Sequence, residues 1–274
     1  MTVPEGIALG VVQGLTEFLP VSSSGHLALS EAVLGVHTQG VRFEVLVHAA
    51  TALAVVLYFR RRIAAVVTAL AAWPLRRSPS PGRGVWRDER AADARLGLNL
   101  VLGTVPAAVV GYLFEARVEE AFDDPRLVSA LLVVTGLILW TTRLVRCPGR
   151  PVETWRDALI VGVGQAVAVL PGISRSGTTV ATGLWAGLDR RRAAEFAFLL
   201  SVPIILGAGA VSLSEAAREG ALGAADAAGA AAAFLCALPA IAVLMRVVIA
   251  GRLHLFSYYC WAVGIAGIVL TTVR

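Results

Sequence analysis

Residues 13–26 read QGLTEFLPVSSSGH. A glutamine, a carboxylate, three serines and an imidazole stand together in a chain that is otherwise strongly apolar. Gln13 and Glu17 are one helical turn apart and share one face. Pro20 is expected to end that helix, because its ring removes a donor and clashes one turn back. Ser22, Ser23, Ser24 and Gly25 then make a turn whose free backbone N–H groups lead into a second helix, with His26 at its start. Free N–H groups and hydroxyls at a helix N-terminus form an anion site. Serines also cap helices by default, so at most one of them need be a nucleophile.

The surrounding chain has 274 residues, 57% hydrophobic and 16% charged, with a mean hydropathy of +0.74. That composition is too apolar for a soluble domain and suits one integral membrane domain over residues 1–274. The net charge of +5 comes from 24 basic residues, all arginine, clustered between apolar runs. The pattern fits membrane topology and gives no sign of a nucleic-acid groove. Cys147, Cys236 and Cys260 share no metal-ligand spacing and read as small packing residues. The N-terminus carries Glu5 and no early basic residue, so it lacks a signal peptide's n-region and reads as part of the fold.

Apolar runs near 43–59, 96–114, 127–142, 193–213, 224–249 and 256–273 approach the roughly 20 residues that cross a bilayer. Residues 4–36 and 157–187 differ: each is an apolar helix, a Pro/Gly/Ser break and a short second helix. Broken helices at membrane depth need protein or a water-filled cavity to satisfy the freed backbone. The expected fold is therefore an all-α polytopic membrane protein with six transmembrane helices and two re-entrant helical hairpins. A kinked spanning helix is the alternative for each hairpin. Arginine-rich loops at 60–95 and 143–156, Arg190-Arg191-Arg192, Arg246 and Arg252 place those ends in the cytoplasm. The acidic segment 115–126 and the non-basic loop near Glu215, Arg218 and Glu219 face outward. The first hairpin then enters from outside and the second from the cytoplasm.

Opposite entry implies an inverted-topology repeat, approximately 1–142 and 157–274. At an offset of 152, Gly10 meets Gly162, Gln13 meets Gln165, Ser22 meets Ser174, Ser24 meets Ser176, Gly25 meets Gly177 and Gly35 meets Gly187, with Pro20 and Pro171 one position out of line. Such repeats bring their broken helices together at a shared midplane site. The second break, PGISRSGTT at 171–179, surrounds Arg175 with Ser174, Ser176, Thr178 and Thr179. A guanidinium matches phosphate with paired hydrogen bonds. Glu17 and Arg175 at mid-membrane would each cost about 3 kcal/mol without a role. A structural ion pair between hairpins is the bland alternative. Glu44 and Glu195 look like a second repeat element that braces the hairpins. His48, within an apolar run, reads as packing, with a pocket residue as the alternative, and His37 and His254 as loop residues; the tryptophans, Trp73 and Trp86 among them, suit interface anchors.

On QGLTEFLPVSSSGH and PGISRSGTT, in this order and spacing, nearly the whole chain resembles the bacterial undecaprenyl-diphosphate phosphatase, or bacitracin-resistance, family. The resemblance implies a multi-pass enzyme of the bacterial cytoplasmic membrane, its active site open to the outer face. It would remove the terminal phosphate of undecaprenyl diphosphate, recycling a carrier lipid for peptidoglycan and conferring bacitracin tolerance. The family's catalytic positions fall on Glu17, Ser23, His26 and Arg175. Substrate-binding positions fall on Gln13, Ser22, Ser24, Ser174, Ser176 and Thr179. A divalent cation, Mg2+ or Ca2+, is expected at Glu17; Gln13 stands where many members carry a second glutamate, and glutamine is the poorer ligand. The expected partners are the polyprenyl diphosphate lipid and the bilayer, with a homodimer left open. A lipid-phosphate transporter that grips the headgroup without cleaving it is the alternative function.

Overall fold

Both polar stretches fold as a helix, a turn and a second helix. In the computed structural model α1 (Val3–Thr16) and α2 (Ser23–Leu34) flank the first turn, and α8 (Trp155–Val167) and α9 (Arg175–Trp185) flank the second. Between them run α3 (Arg42–Tyr58), α4 (Arg60–Ala71), α5 (Gly84–Leu113), α6 (Glu115–Phe122) and α7 (Pro125–Thr141). The chain closes with α10 (Arg190–Ala216), α11 (Ala224–Ile249) and α12 (Phe256–Val273). The structure describes residues 1–36, 42–72, 84–122, 124–145, 149–216 and 222–273; side chains at 32–34, 42, 84–88, 119, 208–216 and 273 are not described. His37, Trp73, Asp123, Arg146, Cys147, Arg218 and Glu219 lie outside the described residues, as do the side chains of Trp86 and Glu215.

Among the described residues four helical segments are long and apolar enough to cross a membrane: Glu89–Leu113, Pro125–Leu144, Ala224–Ile249 and Leu253–Thr272. A fifth candidate is the pair α3 and α4, bent by 81°. Two expectations need correction. Helix α1 stops at Thr16, short of Pro20, and Glu17 caps it. Residues 17–21 form the turn, with Glu17 still at helical backbone angles, and Pro20 disfavours the helical region at Leu19. The basic stretch 60–95 is largely helix: it supplies α4 and the start of α5. Arginine forms helices well, and Ile63, Val66 and Leu70 give α4 an apolar face that packs on Leu96, Phe196 and Leu200.

Small residues set how the broken helices dock. Gly6, Gly10 and Gly14 line one face of α1, where a methyl group on any of them would collide with the backbone of Ala225, Gly229 or Ala233 on α11. Helix α8 meets α5 in the same way, Gly162 against Gly103. Such small-residue seams let backbones approach in lipid, where burial supplies no driving force. Each broken helix thus docks on a long helix from the other half of the chain.

Charged residues gather where the second helix pair is rooted. Arg62 pairs with Asp93 and, at 3.0 Å, with Glu195. Arg192 reaches Glu195 at 3.6 Å and Glu153 at 3.4 Å, and donates to the carbonyl of Pro151. Glu195 therefore ties α4 and α10 to the foot of α8. Arg150 holds Asp157 with two bonds of 3.0 and 2.8 Å, while Thr154 caps α8 onto the same carboxylate. Burial pushes the Asp157 carboxyl up, but the bonds from Arg150 and Thr154 outweigh it and hold it below its usual range. Cys260 is buried as expected, its thiol 3.4 Å from the carbonyl of Pro20.

Candidate active site

The two turns meet. Glu17, at the end of α1, is buried, its side chain 2% exposed, and its Oε1 accepts from Arg175 Nη2 at 2.6 Å. Its Oε2 accepts from Ser23 Oγ at 2.7 Å and from Gln13 Nε2 at 3.0 Å. The buried carboxylate is therefore paired and fully hydrogen-bonded, as a charge out of water must be. Ser22 reaches φ 67 to aim this turn, the one non-glycine residue with positive φ among the described residues. Backbone held in that region of the map is characteristic of functional sites.

A second device holds the other turn. Gly172 takes φ 88, and its carbonyl accepts from the Thr135 hydroxyl of α7 at 2.8 Å. The same hydroxyl accepts from the backbone N–H of Ser174 at 3.0 Å. Ser174 in turn caps α9, its Oγ accepting from Gly177 N. The hydroxyls mirror each other across the site: Ser22 and Ser24 are 3.3 Å apart, and Ser174 and Ser176 are 3.2 Å apart.

These groups border a cavity of about 220 Å³ lined by Glu17, Ser22, Ser23, Ser24, Ser174 and Arg175. The N-termini of α2 and α9 both open onto it, so two positive helix ends and a guanidinium converge on one space. Phe122, the last residue of the acid-bearing α6, closes one side.

Other expected site residues stand apart from the cavity wall. Gln13 lies behind Glu17 and braces it. Ser176 and Thr179 line a small space on the far side of Glu17 and Arg175. The Thr179 hydroxyl is spent on its own helix, bonding the carbonyls of Arg175 and Ser176. His26 is half-buried on α2. Its Nδ1 is 2.8 Å from the Ser22 carbonyl and its Nε2 2.6 Å from the Tyr259 hydroxyl. A carbonyl only accepts, so Nδ1 carries the proton and Nε2 accepts from Tyr259.

Two residues at the cavity were passed over or undervalued in the sequence. His48 lies beside Glu17, Nε2 to Oε2 at 3.6 Å, and lines the cavity. Its Nδ1 donates to the Glu44 carbonyl at 2.8 Å, which turns Nε2 toward Glu17. In an apolar run a pocket role for His48 was the weaker of two readings; the packing of α3 on α1 and α10 decides for it. Gln165 also lines the cavity, and the offset that matches it to Gln13 was the available signal.

Apolar spanning helices around a hydroxyl-rich cavity that holds the Arg175–Glu17 pair define a multi-pass membrane protein. The family described as Bacitracin resistance protein BacA matches residues 6–266, and the chain belongs to it. The Undecaprenyl-diphosphatase of Desulforapulum autotrophicum is 40% identical over 273 residues, covering 98% of each chain. The protein of that name from Syntrophotalea carbinolica is 43% identical over 271 residues, with 96% of this chain and 97% of its own covered. That from Korarchaeum cryptofilum is 40% identical over 266 residues, with 97% and 98% covered.

Proposed function

We propose that this protein is a membrane phosphatase that converts undecaprenyl diphosphate to undecaprenyl phosphate and inorganic phosphate. The observation that carries the reading is the Ser23 hydroxyl donating to a buried carboxylate that Arg175 also holds. The product would return a carrier lipid to cell-wall synthesis. Lowering the diphosphate pool would give the bacitracin tolerance named in the family's description.

The headgroup enters between the two helix N-termini. Arg175 exchanges Glu17 for phosphate oxygens, and Ser174 and backbone N–H groups complete the cradle. The nucleophile is Ser23 Oγ or a water held by the same groups. Its oxygen bonds to the terminal phosphorus as the bond to the bridging oxygen breaks, and undecaprenyl phosphate leaves. The nucleophile's proton passes to Glu17, which already accepts from Ser23 Oγ. On the serine route, water then cleaves phosphoserine, releasing phosphate and returning the proton to Ser23. A pure carrier has no use for a hydroxyl set on a carboxylate.

A divalent cation suits the oxygen donors present. Gln13 Oε1 is buried without a hydrogen-bond partner, one turn from the Glu17 carboxylate. Mg2+ commonly takes one or two protein oxygens and completes its shell from phosphate and water. Bound there by Glu17 and Gln13, it would supply charge neutralisation of the phosphates.

The topology follows from the same reading. The two helix–turn–helix pairs are re-entrant hairpins, and with six spans they form inverted repeats, approximately 1–142 and 157–274, each docking its hairpin on the other's long helix. Acidic α6 beside the cavity supports a site open to the outer face of the cytoplasmic membrane. The prenyl chain lies in an apolar groove of about 690 Å³ between α5, α6 and α8, lined by Val109, Phe114, Val163 and Leu170. It adjoins the cavity at Val169, which borders both. The test is conversion of radiolabelled undecaprenyl diphosphate to the monophosphate by purified protein. Acid quenching traps phosphoserine if Ser23 is the nucleophile and none if water is. No conversion by folded protein would overturn the reading.

A further inference from the structure

The second broken helix repeats the glutamine of the first without its carboxylate. Gln13 spends its amide N–H on Glu17 one turn later, at 3.0 Å. One turn beyond Gln165 stands Val169, which accepts nothing from it. Gln165 is 1% exposed, and among the described residues neither its Nε2 nor its Oε1 has a hydrogen-bond partner. Ala168, Val169 and Ile173, which line the same cavity, are apolar. Buried polar side chains left unpaired are rare, because each such group keeps its desolvation cost with nothing to offset it. This amide sits on the wall of the cavity that holds Arg175 and Ser174, so the missing partner is the cavity's occupant.

We propose that Gln165 is a headgroup ligand, its amide N–H donating to an oxygen of the bound diphosphate. The substrate assignment rests on the phosphatase reading above; the binding itself requires no hydrolysis. Arg175 supplies charge but is shared with Glu17. A neutral donor on α8, in the same broken helix as Arg175, fixes the headgroup without adding a second cation that would hold the product.

Gln165→Leu is the primary test, since it keeps the volume and removes both unmade groups. KM for undecaprenyl diphosphate is expected to rise by about tenfold, with kcat within about twofold, from loss of one hydrogen bond to a charged group. The Kd for a non-hydrolysable prenyl methylenediphosphonate should weaken by the same factor. The melting temperature in detergent should hold or rise, because unmade polar groups have been deleted. A purely structural glutamine would instead lower it. Gln165→Glu keeps size and polarity and sets a carboxylate against the phosphates, so it should weaken diphosphonate binding more than leucine does. Native KM and Kd in either variant would overturn the proposal, as would a leucine variant that loses melting temperature and kcat together. If the native protein binds the diphosphonate but releases no phosphate, the phosphatase reading fails while the Kd comparison still decides Gln165. If it binds neither ligand, both fall.

Discussion

Glu17 carries more of this site than any other residue, and three donors converge on it from three helices. Arg175→Ala removes the strongest of these and a transition-state donor; phosphate release should fall by about 10²–10³-fold. Breaking a buried pair also destabilises, by about 3–5 kcal/mol, so melting is to be followed beside activity. Gln13→Glu tests the cation. A second carboxylate one turn from Glu17 is a better hard-cation ligand than an amide, so the Mg2+ concentration for half-maximal activity should drop in a metal titration. An unchanged requirement would place the ion elsewhere. Ser23 was singled out among the three serines only by the family resemblance, whereas Glu17 and Arg175 were legible in the sequence because charge is conspicuous in apolar surroundings. His48 was not, since its meaning depends on α3 packing beside α1.

At the scale of helices, docking depends on seams of glycine. Gly10→Val would drive a branched side chain into the backbone of Gly229, with no flexible neighbour to yield. Overpacking of this kind costs about 1–3 kcal/mol, read as a lower melting temperature, and activity should fall with it because α1 carries Glu17. The foot of α8 responds to pH. The folded-state pKa of Asp157 is held below its ordinary value, so its ion pair stabilises above the ordinary carboxylate range, near pH 4. That contribution is lost as pH falls through the folded value. Asp157→Asn should therefore lower the melting temperature at pH 7, by up to about 1 kcal/mol in stability given the half-exposed Arg150. The difference should close in acid. The helix breaks at both serine turns followed from Pro, Gly and Ser; the helices within 60–95 did not, because dense arginine masks the apolar face of α4.

Over the whole molecule, hydropathy was enough to show a helical membrane protein, while the meeting of the two turns needed the repeat. Residues 13–26 and 171–179 are far apart in sequence, and only the shared offset of Gln, Ser and Gly positions tied them to one site. The seam of α1 on α11 was illegible for a different reason: a glycine's purpose is set by the backbone facing it. The groove beside the cavity yields a prediction about substrate length. Val163→Trp, which narrows it, should raise KM for undecaprenyl diphosphate several-fold while leaving a short prenyl diphosphate little affected, in parallel steady-state assays. Equal effects on both would remove the groove from the substrate's path. The most direct test of one site built from two turns is phosphate release from undecaprenyl diphosphate by purified, folded protein, compared with Glu17→Ala and Arg175→Ala. Release by the native chain that collapses in both variants is the predicted result. Release that survives loss of either residue would contradict a shared site.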